Sequence, residues 1–154
     1  LELGALANLS EQWNLSGNIS FSRNRNIDFR QETSSGISNL GDTSISFSPN
    51  IIGNFSVDYK PISRLSLSIN NQYVGKQFLD NTGNKNVELN DYFLTDFNAS
   101  YSFDIEKTEV AVKFLLNNIF NRKYVNNGFV YDDAPYYYSQ AGTNFLLGIS
   151  LKFK

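Results

Sequence analysis

The stretch TNFLLGISLKF, Thr143 to Phe153, alternates almost without fault. Phe145, Leu147, Ile149, Leu151 and Phe153 fall on one side, and Asn144, Gly148, Ser150 and Lys152 on the other, with Leu146 alone out of pattern. Period-two alternation is the mark of a β-strand whose faces meet different surroundings. One such strand decides little. Its recurrence along the chain, and its close on an aromatic residue, decide the fold class.

The same parity runs through six further stretches. The strands expected are Leu1–Ala7, Trp13 to about Phe29, Ile51–Lys60, Arg64–Leu79, Tyr92–Asp104, Glu109–Asn118 and Thr143–Phe153. In the second, Trp13, Leu15, Gly17, Ile19 and Phe21 oppose Asn14, Ser16, Asn18, Ser20 and Ser22. In the fifth, Phe93, Phe97, Ala99, Tyr101 and Phe103 oppose Asp96, Asn98, Ser100 and Ser102, and in the sixth Ala111 and Leu115 dilute the polar face. Asp58, Asp96 and Lys113 all fall on the polar side. A slip of one residue would move them to the apolar side, at a cost in lipid of up to about 2–4 kcal/mol for Lys or Arg and less for acids.

The links alternate in length. Asn8–Gln12, Pro61–Ser63 and Ile105–Thr108 are short; Arg30–Asn50, Asp80–Asp91 and Arg122–Gly142 are long. Short turns on one side and long loops on the other, with strands apolar on one face, describe an all-β, antiparallel transmembrane barrel. Aromatics gather at both rims: Trp13, Tyr59, Tyr101, Phe103 and Phe153 beside the short turns or the terminus, and Phe93 and Phe145 at the other end. Two aromatic girdles follow.

Composition narrows the function. The 154 residues hold no Cys, His or Met and carry a net charge of −2. Disulfides, thiolate metal sites and triads built on histidine are excluded. The charge gives no case for nucleic acid. No catalytic residue, cofactor or metal site is expected. The spaced oxygens of Asp80–Glu88 suggest calcium, but Lys85 stands where an EF-hand needs Gly, so a hydrated loop around Thr82, Gly83 and Asn84 is expected instead. An odd count of seven strands, and a start at Leu1 inside a strand, lead to the expectation of a piece of a longer barrel; a self-contained eight-stranded barrel with a structural or adhesive role is the alternative.

Four motifs in order resemble the late barrel of TonB-dependent outer-membrane receptors. YVGKQFLDNT (Tyr73–Thr82) is similar to Y-x-G-x-x-[YF]-x-D-N, and YFLTDFNASYSF (Tyr92–Phe103) to Y-x-x-x-D-x-x-x-x-Y-x-F. NIFNRKY (Asn118–Tyr124) resembles N-L-F-N-K-x-Y, and Gln140 to Phe153 resembles the family's closing strand. Ser139 and Thr143 depart from the usual Pro and Arg, and Lys154 follows the terminal aromatic. The resemblance implies residues 1–154 as the C-terminal seven strands of a 22-stranded barrel, with the plug and TonB-contacting segment upstream. It implies a place in the outer membrane of a Gram-negative bacterium. Its expected partners are outer-membrane lipid, the rest of the same receptor, the TonB complex, and a scarce ligand such as a ferric siderophore, haem or cobalamin.

Site residues follow from that resemblance. Gly148, Leu151 and Phe153 resemble the signal read by the barrel-assembly machinery. Asp58, Asp96 and Lys113 are expected to meet a plug across the lumen. In the last long link, Phe129, Tyr131, Tyr136, Tyr137 and Tyr138, with Asp132 and Asp133 beside them, are the candidate ligand-contact loop. Packing against neighbouring loops is the plainer role for the same aromatics.

Overall fold

The computed structural model describes residues 1–33, 36–132 and 134–154. In chain order the strands are β1 (Glu2–Asn8), β2 (Trp13–Phe21), β3 (Arg25–Thr33), β4 (Gly36–Ser44), β5 (Ile51–Ile62), β6 (Leu65–Val74), β7 (Gln77–Phe78), β8 (Glu88–Leu89), β9 (Tyr92–Ile105), β10 (Thr108–Asn117), β11 (Val125–Tyr131), β12 (Ala134–Ser139) and β13 (Asn144–Phe153). Seven of them form one antiparallel sheet in the order β1-β2-β5-β6-β9-β10-β13, the wall. It is an open sheet, with β1 and β13 each paired on one side. No described helix is long and apolar enough to cross a membrane.

The register keeps the two faces apart from strand to strand. Trp13 pairs with Tyr59, Tyr59 with Leu67, Leu67 with Ala99, Ala99 with Phe114 and Phe114 with Leu147. On the opposite face Asn14 lies beside Asp58, Asp58 beside Ser68 and Ser68 beside Asn98. Leu146, the exception in β13, pairs with Leu115, so one apolar spot lies on the polar face without any slip of register. Among the described residues no other layer covers the apolar face. Leu147 and Ile149 stay 66% and 68% exposed.

That row also measures the slant of the strands. It starts at Trp13, the first residue of β2 after the turn, and reaches β13 at Leu147, six positions before Phe153. Taking Trp13 and Phe153 as the same rim, the stagger is about one residue per strand. With ordinary strand rise and spacing this is a tilt of roughly 35°, in the range of closed barrels.

Local chemistry sets the short turns. Ser10 Oγ accepts from the amides of Gln12 and Trp13, both at 3.2 Å, and so replaces a backbone turn with a side chain. Pro61 has no amide to give to the ladder, and the β5–β6 register shifts between Tyr59 and Ile62.

Three strand ends differ most from the sequence reading, the third wall strand running on past Lys60 through Pro61 to Ile62. The second wall strand stops at Phe21 and not near Phe29, and the fourth stops at Val74 and not at Leu79. The long links are not irregular either: Arg30–Asn50 lies largely within the β3/β4 hairpin, which begins at Arg25, and Arg122–Gly142 contains the β11/β12 hairpin. In β3/β4 the positive φ of Asp28 (53°) and register shifts on either side of Phe29 break the alternation that would have revealed strands.

The described core lies outside the centre of the wall. Leu79, Val87 and Leu89 are buried together in the link after β6, with Val125 and Val130 of β11 packed on them. Val87 and Leu89 are each only 1% exposed. The link read as a hydrated loop is therefore the anchor of a cap at the loop end.

Candidate functional site

Strand alternation divides the aromatics of the β11/β12 hairpin between two faces. Phe129 stacks on Tyr136 at 5.1 Å between ring centroids and meets Tyr138 at 6.0 Å. Tyr131 pairs with Ala134 on the same face and is 70% exposed. The opposite face carries Gly128 and Val130 against the buried cluster. A Cβ at Gly128 would collide with the Tyr136 carbonyl oxygen and press the Leu79 side chain, so only glycine fits there. Tyr137, paired with Gly128, belongs to this second face. The expected group of five thus becomes an outward set of four and one tyrosine apart. Asp132 holds a positive φ at the tip, and Asp133 lies outside the described residues.

Tyr137 lines a cleft of about 400 Å³ between the links 79–91 and 118–143. Glu88 and Asp91 stand on one wall, and Arg122, Lys123 and Tyr124 on the other. Glu88 is engaged: its Oε1 accepts from Lys76 Nζ at 2.6 Å, and that hydrogen bond and charge hold the Lys76 ammonium above its usual range. Arg122 and Lys123 have no ion pair among the described residues. Burial, with the Asp96 charge adding to it, pushes the Tyr124 phenol up. The Tyr124 ring packs on Tyr92 at 4.7 Å.

Asn118 is the residue that motif reading left unassigned. It is buried, and both it and Asn121 hold positive φ (50° and 52°), which asparagine tolerates better than most residues. Its amide donates to Asp96 Oδ1 at 2.7 Å, and its side-chain nitrogen donates to the carbonyls of Arg122 (2.9 Å) and Ala141 (3.3 Å). Its side-chain oxygen accepts from the Arg122 amide (2.8 Å), and its carbonyl from Thr143 Oγ1 (2.7 Å). One buried residue thus ties the link after β10 together through its side chain, and reaches β9 and the approach to β13 through its backbone amide and carbonyl. The signal was in the sequence, in the paired Asn residues of Asn118 and Asn121.

The three polar-face charges share a face but not a site. Asp58 accepts from Ser68 Oγ, and Asp96 is taken by Asn118. Lys113 pairs in register with Ser100 and Gly148. Rim aromatics meet in pairs: Trp13 on Tyr59 at 4.1 Å, Tyr101 on Phe103 at 5.8 Å, and Phe145 against Phe114 at 6.3 Å. Phe93 pairs in register with Tyr73 at the loop end, Leu151 with Val110, and Phe153 with Thr108 at the turn end. Lys154 donates to Asp104 Oδ1, whose other oxygen accepts from Arg64 at 2.8 Å. In the Asp80 loop the carboxylate accepts from the Thr82 amide and hydroxyl at 3.0 and 2.6 Å, so the loop ties to itself.

No protein-family model and no curated protein matches this chain. Solved structures do. The siderophore receptor PiuA of Acinetobacter baumannii matches 99% of this chain with a TM-score of 0.75 at 17% identity. The ferric-catecholate import receptor Fiu of E. coli matches 96% at 0.68 and 16%, and the ferric yersiniabactin uptake receptor FyuA of Yersinia pestis 99% at 0.67 and 19%. The chain spans only about a fifth of each: 21%, 20% and 22% of their lengths. All three are transport receptors of the TonB-dependent kind. At these identities the likeness shows fold, and the fold is that of part of a TonB-dependent receptor barrel.

Proposed function

We propose that this chain is wall and outer cap of a TonB-dependent receptor, working in active uptake of a metal chelate across the outer membrane of a Gram-negative bacterium. The observation that carries this reading is the seven-strand register, which keeps an apolar and a polar face separate across the whole wall. Such a sheet has its apolar side in lipid and its polar side in a wet lumen. The solved relatives, a siderophore receptor, a ferric-catecholate import receptor and a ferric yersiniabactin uptake receptor, support the ligand class.

In this reading residues 1–154 follow a plug and the remaining strands, which supply the contact with TonB. Asp58, Asp96 and Lys113 face that plug, and Gly148, Leu151 and Phe153 act in assembly. Trp13, Tyr59, Tyr101, Phe103 and Phe153 hold one interface of the membrane, and Phe93 and Phe145 the other. The work is transport and not catalysis. Phe129, Tyr131, Tyr136 and Tyr138 meet the incoming ligand, since stacked rings offer a large contact area at low entropic cost. Tyr137 contributes from the cleft.

The test is uptake of a panel of ferric chelates by cells carrying the complete polypeptide, with and without TonB. Accumulation of one chelate that stops without TonB is expected. Accumulation that persists unchanged without TonB overturns the reading.

A further inference from the structure

The three long connections touch one another through backbone hydrogen bonds and buried side chains. Between the first and second, the Phe47 amide donates to the Phe78 carbonyl at 2.9 Å and the Ser46 amide to Asn81 Oδ1 at 2.8 Å. Thr43 is buried, with Gly83 close beside it. Between the second and third, Leu79, Val87 and Leu89 bury themselves against Val125 and Val130. One cavity of about 280 Å³ is lined from all three, by Gln31 and Leu40, by Val87, and by Val130 among others. A short 3-10 turn, Lys85–Val87, is capped by Asn84, whose side chain accepts from the Asn86 amide at 2.9 Å; it sets Val87 into the cluster.

Loops that move separately share few buried contacts. Here the second connection is a wedge, and the β11/β12 hairpin rests on it through Gly128 and Val130. We propose that the three connections form one preassembled body, and that Val87 and Leu89 are positioning residues holding the outward aromatic face of β11/β12 ready for ligand. The coupling among the connections stands on this packing. Its purpose rests on the reading of that face as a ligand-contact surface. A face held in place before binding loses less freedom when ligand arrives.

Amide hydrogen exchange on the complete polypeptide in lipid nanodiscs tests the coupling. With Val87→Ser, exchange is expected to quicken at least about tenfold in residues 78–89, in β11/β12 and in the β3/β4 hairpin together, while the turn end of β9 stays unchanged. Acceleration confined to 78–89 overturns the proposal. Asn81→Ala, a milder change at the surface of the body, is the second variant. It is expected to quicken residues 36–48 alone, and no change there overturns the link between the first and second connections. Phe129→Ala separates the two ideas, because it leaves exchange in the body as it was and lowers chelate affinity about tenfold. Coupled exchange with unchanged affinity would remove the purpose and keep the body; uncoupled exchange with lowered affinity would do the reverse.

Discussion

The wall and the cap of this molecule are held together in different ways. In the wall nearly every apolar side chain looks outward from a single sheet, and the ladder of backbone hydrogen bonds is the only layer. In the cap, Leu79, Val87 and Leu89 are enclosed by their own chain as in a water-borne domain. The wall therefore depends on what surrounds it, and the cap on what fills it. A change of solvent acts on the first and a change of side-chain volume on the second.

The largest effect is expected from volume. Leu89→Ala leaves a hole in a cluster of a few residues and should weaken the cap by about 2–5 kcal/mol. Amide exchange in β11/β12 would report it, with β9 and β10 unmoved. Next comes polarity. Ile69, between Val57 and Phe97 on the apolar face, should cost about 2–4 kcal/mol as Ile69→Arg in a bilayer. Denaturant unfolding in lipid vesicles measures it, and the same change at exposed Tyr131 should leave stability unaltered.

Asn118 belongs to both regions and sharpens the boundary. Asn118→Ala should cost about 1–3 kcal/mol, because the carbonyls and the amide it serves lose their partner. Asn118→Gly keeps the backbone at ease and loses only the side chain. A smaller loss for Gly than for Ala, read in the same unfolding assay, would assign the difference to the positive φ.

The smallest effect concerns pH. The Lys76 ammonium, raised by Glu88, adds stability that is complete below the ordinary lysine value and is lost as pH rises through the raised one. Both values are alkaline, so the cap should show no pH dependence from this pair between roughly pH 6 and 9. Lys76→Gln, followed by thermal unfolding across that range, should give a flat difference from the parent protein.

What could be read from the sequence follows the same division. Wall strands declare themselves because the two faces of the sheet take opposite residues every two positions, and Trp13 through Phe21 carry that alternation in full, Asn144 through Phe153 with Leu146 as the one exception. The cap hides. Tyr136, Tyr137 and Tyr138 put the same ring on both faces of a strand, so no alternation marks it. Val87 and Leu89 are single apolar residues among Asn, Lys and Glu, and only the packing of a distant hairpin makes them a core. Pro61 reads from sequence as the first residue of a short link, yet it lies within β5, where the register with β6 shifts. Asn118 could be quoted within a motif, but its hydrogen bonds depend on residues as far apart as Asp96 and Thr143.

The slant of the strands sets how thick a bilayer this wall can cross. β10 and β13 have ten residues each, about 33 Å of extended chain; leaning at roughly 35°, they rise about 27 Å. The apolar band of such barrels is about 25 Å tall. In the proposed membrane setting these two strands would span the hydrocarbon with almost nothing to spare, whereas β9, with fourteen residues, would stand clear of it. In a thicker membrane the lipid next to β10 and β13 would have to compress, while that next to β9 would not. Thickness mismatch would be felt unevenly around the wall, at β10 and β13 and likewise at β1, β2 and β6, which are no longer than these, and least at β5 and β9.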